Sequence, residues 1–350
     1  MRLDLVEQIA QATLYEGYML YPYRPSSVKN QQRFNFGVLY PRAYGEAQGA
    51  TEAWSMQTES LLLANPSASI DIRLRFLHLA QRQIGKLAAP VDEIDEELLE
   101  FQPVDSLPNG DQMFQTWQEA VEEEVRAPIF NLRDLAEAPQ RVPFRLPHKH
   151  SVVAIRDEGS LIVGVIIRDQ ECVNGTIEIT AQVDGELTKL TVVAVNQTPL
   201  DAPGSTTRDE ALLRSMVSTH TILGVSEAEF VSLLDPPERF RSAAAGCQNI
   251  GTWPVLVGDE RERDTMLSSP IILYDYPEIA PESAGDLFDG TEIDEILTLR
   301  IMTLTEDEKR EMRGADDRAR KILERTESLP VEQFMKMHGA VRGLRRVAKE

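Results

Sequence analysis

The chain has 350 residues, of which 42% are hydrophobic and 27% are charged, and its formal net charge is −21. These fractions are typical of globular proteins and exclude wholesale disorder. The negative charge argues against nucleic acid as a partner and against anionic membranes, and no stretch approaches the about 18 apolar residues of a membrane span. Two isolated cysteines and the lack of an apolar signal core predict a cytoplasmic protein without a zinc ribbon.

The first third of the chain predicts one helix followed by strands. Helical spacing of apolar residues predicts a helix over 3–20. Residues 34–40, 56–64 and 70–80 are predicted strands, and Asn65-Pro66-Ser67 is predicted to turn the chain between the last two. Residues 92–124 are rich in Asp and Glu and contain no Lys or Arg. This composition favours a solvated helical face followed by a linker.

The middle of the chain predicts an antiparallel meander. Three runs of alternating apolar residues, 161–167, 176–183 and 187–195, are predicted strands. Asn174-Gly175 and Asp184-Gly185 lie between them, and both dipeptides accept the positive φ of tight hairpin turns.

Helices are predicted after residue 207. Capping-box patterns, which satisfy free backbone N–H groups at a helix start, begin at Thr207, Ser226 and Thr305, and the last opens a helix to about Glu327. Short strands are predicted at 252–257 and 271–274. Pro330 starts a final helix with an apolar stripe and a basic end. We expect this helix to contact a partner.

These elements predict an α+β fold with a mostly antiparallel sheet and a helical C-terminal region. We expect three regions: an N-terminal α+β region at 1–135, the meander with helices at 136–260, and an acidic loop with two helices at 261–350. No P-loop, GxGxxG, HExxH or GxSxG motif occurs. The absence of these motifs favours a non-catalytic protein without a cofactor but leaves an enzyme open.

Residues 17–45 carry tyrosines and basic side chains and no acidic residue. Aromatic faces and guanidinium groups suit ring stacking and the pairing of carboxylate or phosphate. The residues with this chemistry are Tyr21, Tyr23, Arg24, Lys29 and Arg33. They predict a ligand or partner site, and the alternative is that the segment docks on the acidic surface of its own chain.

Two further patterns suggest metal binding. His148 and His150 share a face if they lie on a strand, so they can chelate one divalent metal, with His220 or a carboxylate as third ligand. The alternative is a pair of surface imidazoles. The acidic stretch from Tyr274 to Glu292 can hold a hard cation or be a solvated loop.

Three stretches carry a resemblance to a known group of proteins. They are Leu14–Arg42; Arg263–Thr291, with Ser268-Ser269-Pro270; and Leu297–Glu327, preceded by Asp289-Gly290-Thr291-Glu292-Ile293-Asp294-Glu295. Together they resemble uncharacterised accessory proteins encoded near bacterial [NiFe]-hydrogenase genes. The resemblance implies an accessory or assembly role beside a redox metalloenzyme, with a hydrogenase subunit as partner, and it supplies no catalytic residue. The alternatives are a metal-dependent, hydrolase-like enzyme and a small-ligand-binding protein that uses residues 17–45.

Overall fold

A computed structural model describes residues 3–16, 18, 23–24, 27, 30, 35–95, 99–110, 112–259, 261–278, 294–315 and 317–330. Among these residues the helices are α1 (Leu3–Leu14), α2 (Arg42–Ala47), α3 (Leu132–Glu137), α4 (Arg208–Leu212), α5 (Arg241–Ala245), α6 (Asp294–Met302), α7 (Glu306–Ala315) and α8 (Asp317–Glu327), with a 3₁₀ turn at Glu238–Phe240. The strands are β1 (Ser55–Val91), β2 (Gln102–Val104), β3 (Ser106–Asn109), β4 (Gln112–Gln115), β5 (Trp117–Arg126), β6 (Phe130–Asn131), β7 (Gln140–Leu146), β8 (Lys149–Arg156), β9 (Ile162–Gln170), β10 (Val173–Asp184), β11 (Leu187–Asn196), β12 (Val217–Val231), β13 (Trp253–Leu256) and β14 (Thr265–Ser269).

The fold is α+β and is built on one large antiparallel sheet, as the sequence predicts. Twelve strands form this sheet, in the order β13-β14-β12-β1-β11-β10-β7, while β2, β5, β6 and β9 also pair with β1, and β8 pairs with β9. β3 and β4 form a separate hairpin. Strands from all three predicted regions therefore share one sheet, and the boundaries at 135 and 260 stay a prediction.

The 37-residue strand β1 is the spine of the sheet. Its first part pairs with β11, its middle with β12 and β5, and its end with β9. The predicted strands 56–64 and 70–80 are both present, but the predicted turn between them is wrong. The register instead shifts between Ala64 and Ser69. Such a bulge accommodates Pro66, which has no N–H to donate to a ladder, without reversing the chain.

The predicted meander is confirmed only in part. Gly185 turns β10 into β11 with a φ of 62°. Asn174 and Gly175 lie within β10 and make no turn, because β9 pairs with β1 and β8 instead of β10. A Cβ on Gly175 would lie 2.3 Å from Phe144 Cζ. The glycine is therefore needed for close packing and not for a hairpin.

Two predicted helices are strands. Ser226–Glu229 lies inside β12, which pairs with β1 and β14 on its two sides. The end of the acidic run forms β5, which pairs with Arg73–Arg82 of β1. Cross-strand ion pairs explain this, since Arg75 contacts Glu122 at 2.9 Å and Arg82 contacts Glu119 at 3.0 Å. The predicted strand at 34–40 is also wrong over its described part, where Leu39 alone forms a bridge, with Met216.

Helices α7 and α8 each pack an apolar side into the core, while residues such as Asp307 and Lys321 stay exposed. The predicted capping box opens α7, with Thr305 and Glu308 exchanging hydrogen bonds. The buried apolar side chains of the two helices are Met312, Ala315, Ala319, Ile322 and Leu323. They pack with tyrosines of the N-terminal region and with Leu77 and Leu79 of β1. The predicted helix after Pro330 lies outside the described residues.

Candidate partner-binding surface

The described part of the aromatic-basic segment packs against its own chain. Tyr23 is 1% exposed. Arg24 forms ion pairs with Glu308 at 3.1 Å and Glu311 at 3.4 Å, both on α7. These contacts agree with the alternative that the segment docks on the chain's own acidic surface. The remaining predicted binding residues, Tyr21, Lys29 and Arg33, lie outside the described residues.

The three histidines of the predicted metal site do not come together. His148 directly precedes β8 and His150 is its second residue; both are half exposed, and both contact the carboxylate of Asp169 on β9. His220 is fully buried in β12. Within the ranges that the structure describes, no group of three His, Cys, Asp or Glu side chains is arranged to hold a metal ion.

His220 has a structural environment. Its Nδ1 lies 2.7 Å from the carbonyl oxygen of Ser218, so this nitrogen donates. Its Nε2 lies 3.0 Å from the hydroxyl of Thr13 on α1 and 3.1 Å from that of Ser269 on β14. Burial lowers the pKa of His220 to about 4. The neutral ring therefore joins α1, β12 and β14.

A cleft of about 460 Å³ lies beside α4. Its wall contains Glu171 and Arg214, which pair with each other at 2.8 Å. Glu210, also in the wall, is engaged in the capping box of Thr207. Glu171, Arg214 and Glu210 are thus already engaged within the chain, while Asp201 of the wall is exposed.

The two most exposed large apolar side chains of the described residues follow β14, at one edge of the sheet. β13 is the edge strand, and its Trp253 is 45% exposed. The chain leaves β14 beside Trp253, because Trp253 pairs with Ser269. In the segment that follows, Ile272 is 70% exposed and Tyr274 is 85% exposed. We call these three residues, Trp253, Ile272 and Tyr274, the β13 edge patch.

The backbone beneath the patch is firmly held. The N–H of Tyr276 donates to the carbonyl of Leu256 at 2.7 Å, which brings the segment back to the other end of β13. The Asp275 carboxylate accepts hydrogen bonds from the Leu256 N–H at 2.8 Å and from the Ser232 hydroxyl at 2.5 Å. Leu273 packs into the cluster of α1, β13 and β14. Successive side chains of this segment therefore point to opposite sides. Ile272 and Tyr274 face outward, and Leu273 packs inward and holds the segment against the sheet.

The predicted strand at 271–274 is not present, and Thr265–Ser269 is the strand instead. The sequence drew attention to Tyr274 and Asp275 for their carboxylate-rich context, but Asp275 binds backbone and hydroxyl groups of its own chain. The apolar chemistry of the patch was missed. Its signal in the sequence is the alternation of Ile272, Leu273 and Tyr274 beside a proline, and Trp253 is brought there only by strand pairing. Residues 279–293 lie outside the described residues.

Comparison with family models, curated proteins and solved structures finds no match to this chain. Among the described residues, none of the helices has the length and apolar character needed to cross a membrane.

Proposed function

We propose that the protein is a non-catalytic accessory protein of the cytoplasm that binds a protein partner through the β13 edge patch. The exposure of Tyr274, Ile272 and Trp253 on one edge of the sheet carries this proposal. Tryptophan and tyrosine dominate the energetics of protein interfaces, because they bury a large apolar area and keep a polar group for the rim. Grouped exposed apolar side chains mark interaction surfaces, whereas single ones are common everywhere.

The rigid backbone beneath the patch supports binding. Ordering a loop on association opposes binding, and a segment already fixed by Asp275 and Leu273 avoids most of that loss. The net charge of −21 favours a partner whose rim is basic, since complementary charge speeds encounter. The resemblance to proteins encoded beside [NiFe]-hydrogenase genes makes a hydrogenase subunit the first partner to test.

Copurification of the tagged full-length chain from its own host tests this proposal. The double variant Trp253→Ala/Tyr274→Ala should lose the partner by more than about tenfold, because a truncated hot-spot residue weakens binding by about 2 kcal/mol or more. Ile129→Ala is the matched control, since Ile129 is also exposed, at 61%, but lies outside the patch. Equal recovery with all three proteins, or a lone monomer that turns over a small molecule, contradicts the proposal.

A further inference from the structure

The outer edge of β8 is open, whereas two other edges of the sheet are blocked. Among the described strands, β8 pairs with β9 alone. The outer edge of β13 is closed, because Pro254 has no N–H and residues 275–276 bond the N–H and C=O of Leu256. β7 has Pro143 at its centre. Proteins block sheet edges in such ways because free N–H and C=O groups recruit another strand.

The free backbone groups on this open edge belong to His150, Val152 and Ala154. The Asp157 N–H donates toward β9, to the carbonyl of Leu161 at 2.9 Å. Successive residues of an antiparallel strand point their backbone groups to alternate sides, so Arg156 and every second residue before it point away from β9. The Arg156 carbonyl accepts a hydrogen bond from the Asn109 side chain of the β3–β4 hairpin at 2.7 Å. Within the described ranges, the backbone groups of the other three residues have no partner.

We infer that two copies of this chain pair through β8, antiparallel about a two-fold axis at Val152. This axis sets His150 opposite Ala154 of the second copy and sets Val152 opposite itself. Every free N–H and C=O group of the edge then finds a partner. Such an isologous contact uses the same surface on both copies. The two valines at the axis are β-branched, which suits a pair of strands.

The charges at the two ends of β8 are complementary in this arrangement. Lys149 at the start is 53% exposed, although it also pairs with Glu123 of its own chain at 2.9 Å. Asp157 and Glu158 follow the other end. Antiparallel pairing places the start of one strand beside the end of the other, so Lys149 lies diagonal to Asp157 of the second copy, within reach of a long side chain.

The net charge of −21 on each copy opposes association. At a salt concentration of about 0.15 M, however, exposed charges further apart than about 8 Å are largely screened, so the charges at the contact dominate. A strand of five residues is only about 17 Å long, and stable interfaces bury about 800 Å² on each partner. The dimer should therefore be weak, and its fraction should rise with concentration. This inference does not depend on the β13 edge patch.

Sedimentation equilibrium of the full-length chain over a range of concentrations tests the inference. The wild type should show a reversible equilibrium between the masses of one and two chains. Val153 is 45% exposed next to the axis, so Val153→Lys puts two lysines diagonal to each other across it. This variant should weaken the dimer by at least about tenfold, because like charges at a contact oppose association. Val183→Lys is the matched control, since Val183 is 60% exposed near the end of β10.

Val152→Pro provides a second variant, which removes an N–H at the axis. Because the Val152 N–H points away from β9, the ladder between β8 and β9 keeps its hydrogen bonds, and circular dichroism checks that the variant is folded. It should also weaken the dimer, because proline cannot donate to a strand ladder. A wild type that stays monomeric at every concentration overturns the inference. A dimer that both β8 variants leave intact, or that only Trp253→Ala/Tyr274→Ala abolishes, also overturns it.

Discussion

Glu122 is the residue at which the N-terminal helix, the sheet and the C-terminal helices meet. Its carboxylate accepts hydrogen bonds from the Tyr15 hydroxyl at 2.6 Å and from Gln11, Arg75 and Arg318 at 2.8–2.9 Å. Burial opposes ionisation, but these four hydrogen bonds outweigh it and hold the pKa of Glu122 at about 2. Burial raises the pKa of the Tyr15 hydroxyl, so Tyr15 stays a donor.

Glu122→Gln should lower the free energy of unfolding by about 1–3 kcal/mol, because two guanidinium groups lose their charged acceptor. Urea unfolding monitored by circular dichroism measures the change. Glu137→Gln is the matched control. Glu137 pairs with Arg133 at 3.8 Å while 73% exposed, and such pairs contribute at most about 1 kcal/mol. If the two variants lose equal stability, the proposed role of the Glu122 cluster is wrong.

Two buried histidines should make stability depend on pH. Burial lowers the pKa of both His220 and His78 from 6.5 to about 4. Between these values the unfolded chain binds more protons than the folded one, so the free energy of unfolding falls as the pH falls from 6.5 to about 4. Each group accounts for on the order of 3 kcal/mol over that window. The stability is fully present above pH 6.5.

Denaturant titrations across this pH range test the effect of His220. The variant His220→Asn should be less stable at neutral pH, because the hydrogen bonds to Ser218, Ser269 and Thr13 change. Its stability should depend less steeply on pH than that of the wild type. A variant with an unchanged slope would show that His220 does not titrate in this window.

At the scale of elements, α7 and the β3–β4 hairpin approach each other closely at Gly314. A Cβ added to Gly314 would lie 1.7 Å from the carbonyl oxygen of Met113. The guanidinium of Arg82 on β1 donates to the carbonyl of Ala315 at 2.8 Å. Arg82 thereby satisfies a free carbonyl at the end of α7 and joins the helix to the sheet.

Gly314→Ala should destabilise the protein by about 2 kcal/mol or more, because the backbones of α7 and β4 must separate. Hydrogen exchange should show that backbone amides lose protection first in α7 and α8, while those of β12 stay protected. Gly204→Ala is the matched control, since a Cβ there meets no atom within 4 Å. Uniform loss of protection would show that the helices and the sheet open as one unit.

For the whole molecule, the net charge determines how salt changes the thermal stability of the folded chain. A charge of −21 makes the folded chain repel itself. Raising the ionic strength from about 0.01 M to about 0.15 M shortens the screening length from about 30 Å to about 8 Å. The ion pairs of Arg73 and Arg82 are largely buried, so they are screened less than the long-range repulsion.

The thermal midpoint should therefore rise with salt over this range, by about 2–4 °C for each kcal/mol of repulsion removed. Differential scanning calorimetry in sodium chloride and in potassium chloride separates screening from ion-specific effects, because screening gives the same rise in both. A midpoint that falls with salt would show that the ion pairs outweigh the repulsion.

Local chemistry in the sequence determined the α+β class, helix α1, the β10–β11 hairpin and the capping boxes of α4 and α7. These features depend on neighbours within a few residues, such as Thr305 with Glu308 or Asp184 with Gly185. The exposure of Ile272 and Tyr274 was not predicted. A face is exposed only because no other element packs on it, and local spacing does not contain that information.

Tertiary pairing decided the remaining elements. Ser226–Glu229 has the pattern of a helix start but forms a strand, because it pairs with β1, with Ser226 opposite Ser69 and Glu229 opposite Leu63. The end of the acidic run forms β5 because arginines of β1, distant in sequence, pair with its glutamates. His220 was predicted as a metal ligand from its residue type alone. Its place between α1 and β14 makes it a neutral core residue, since burial of an uncompensated charge is strongly unfavourable.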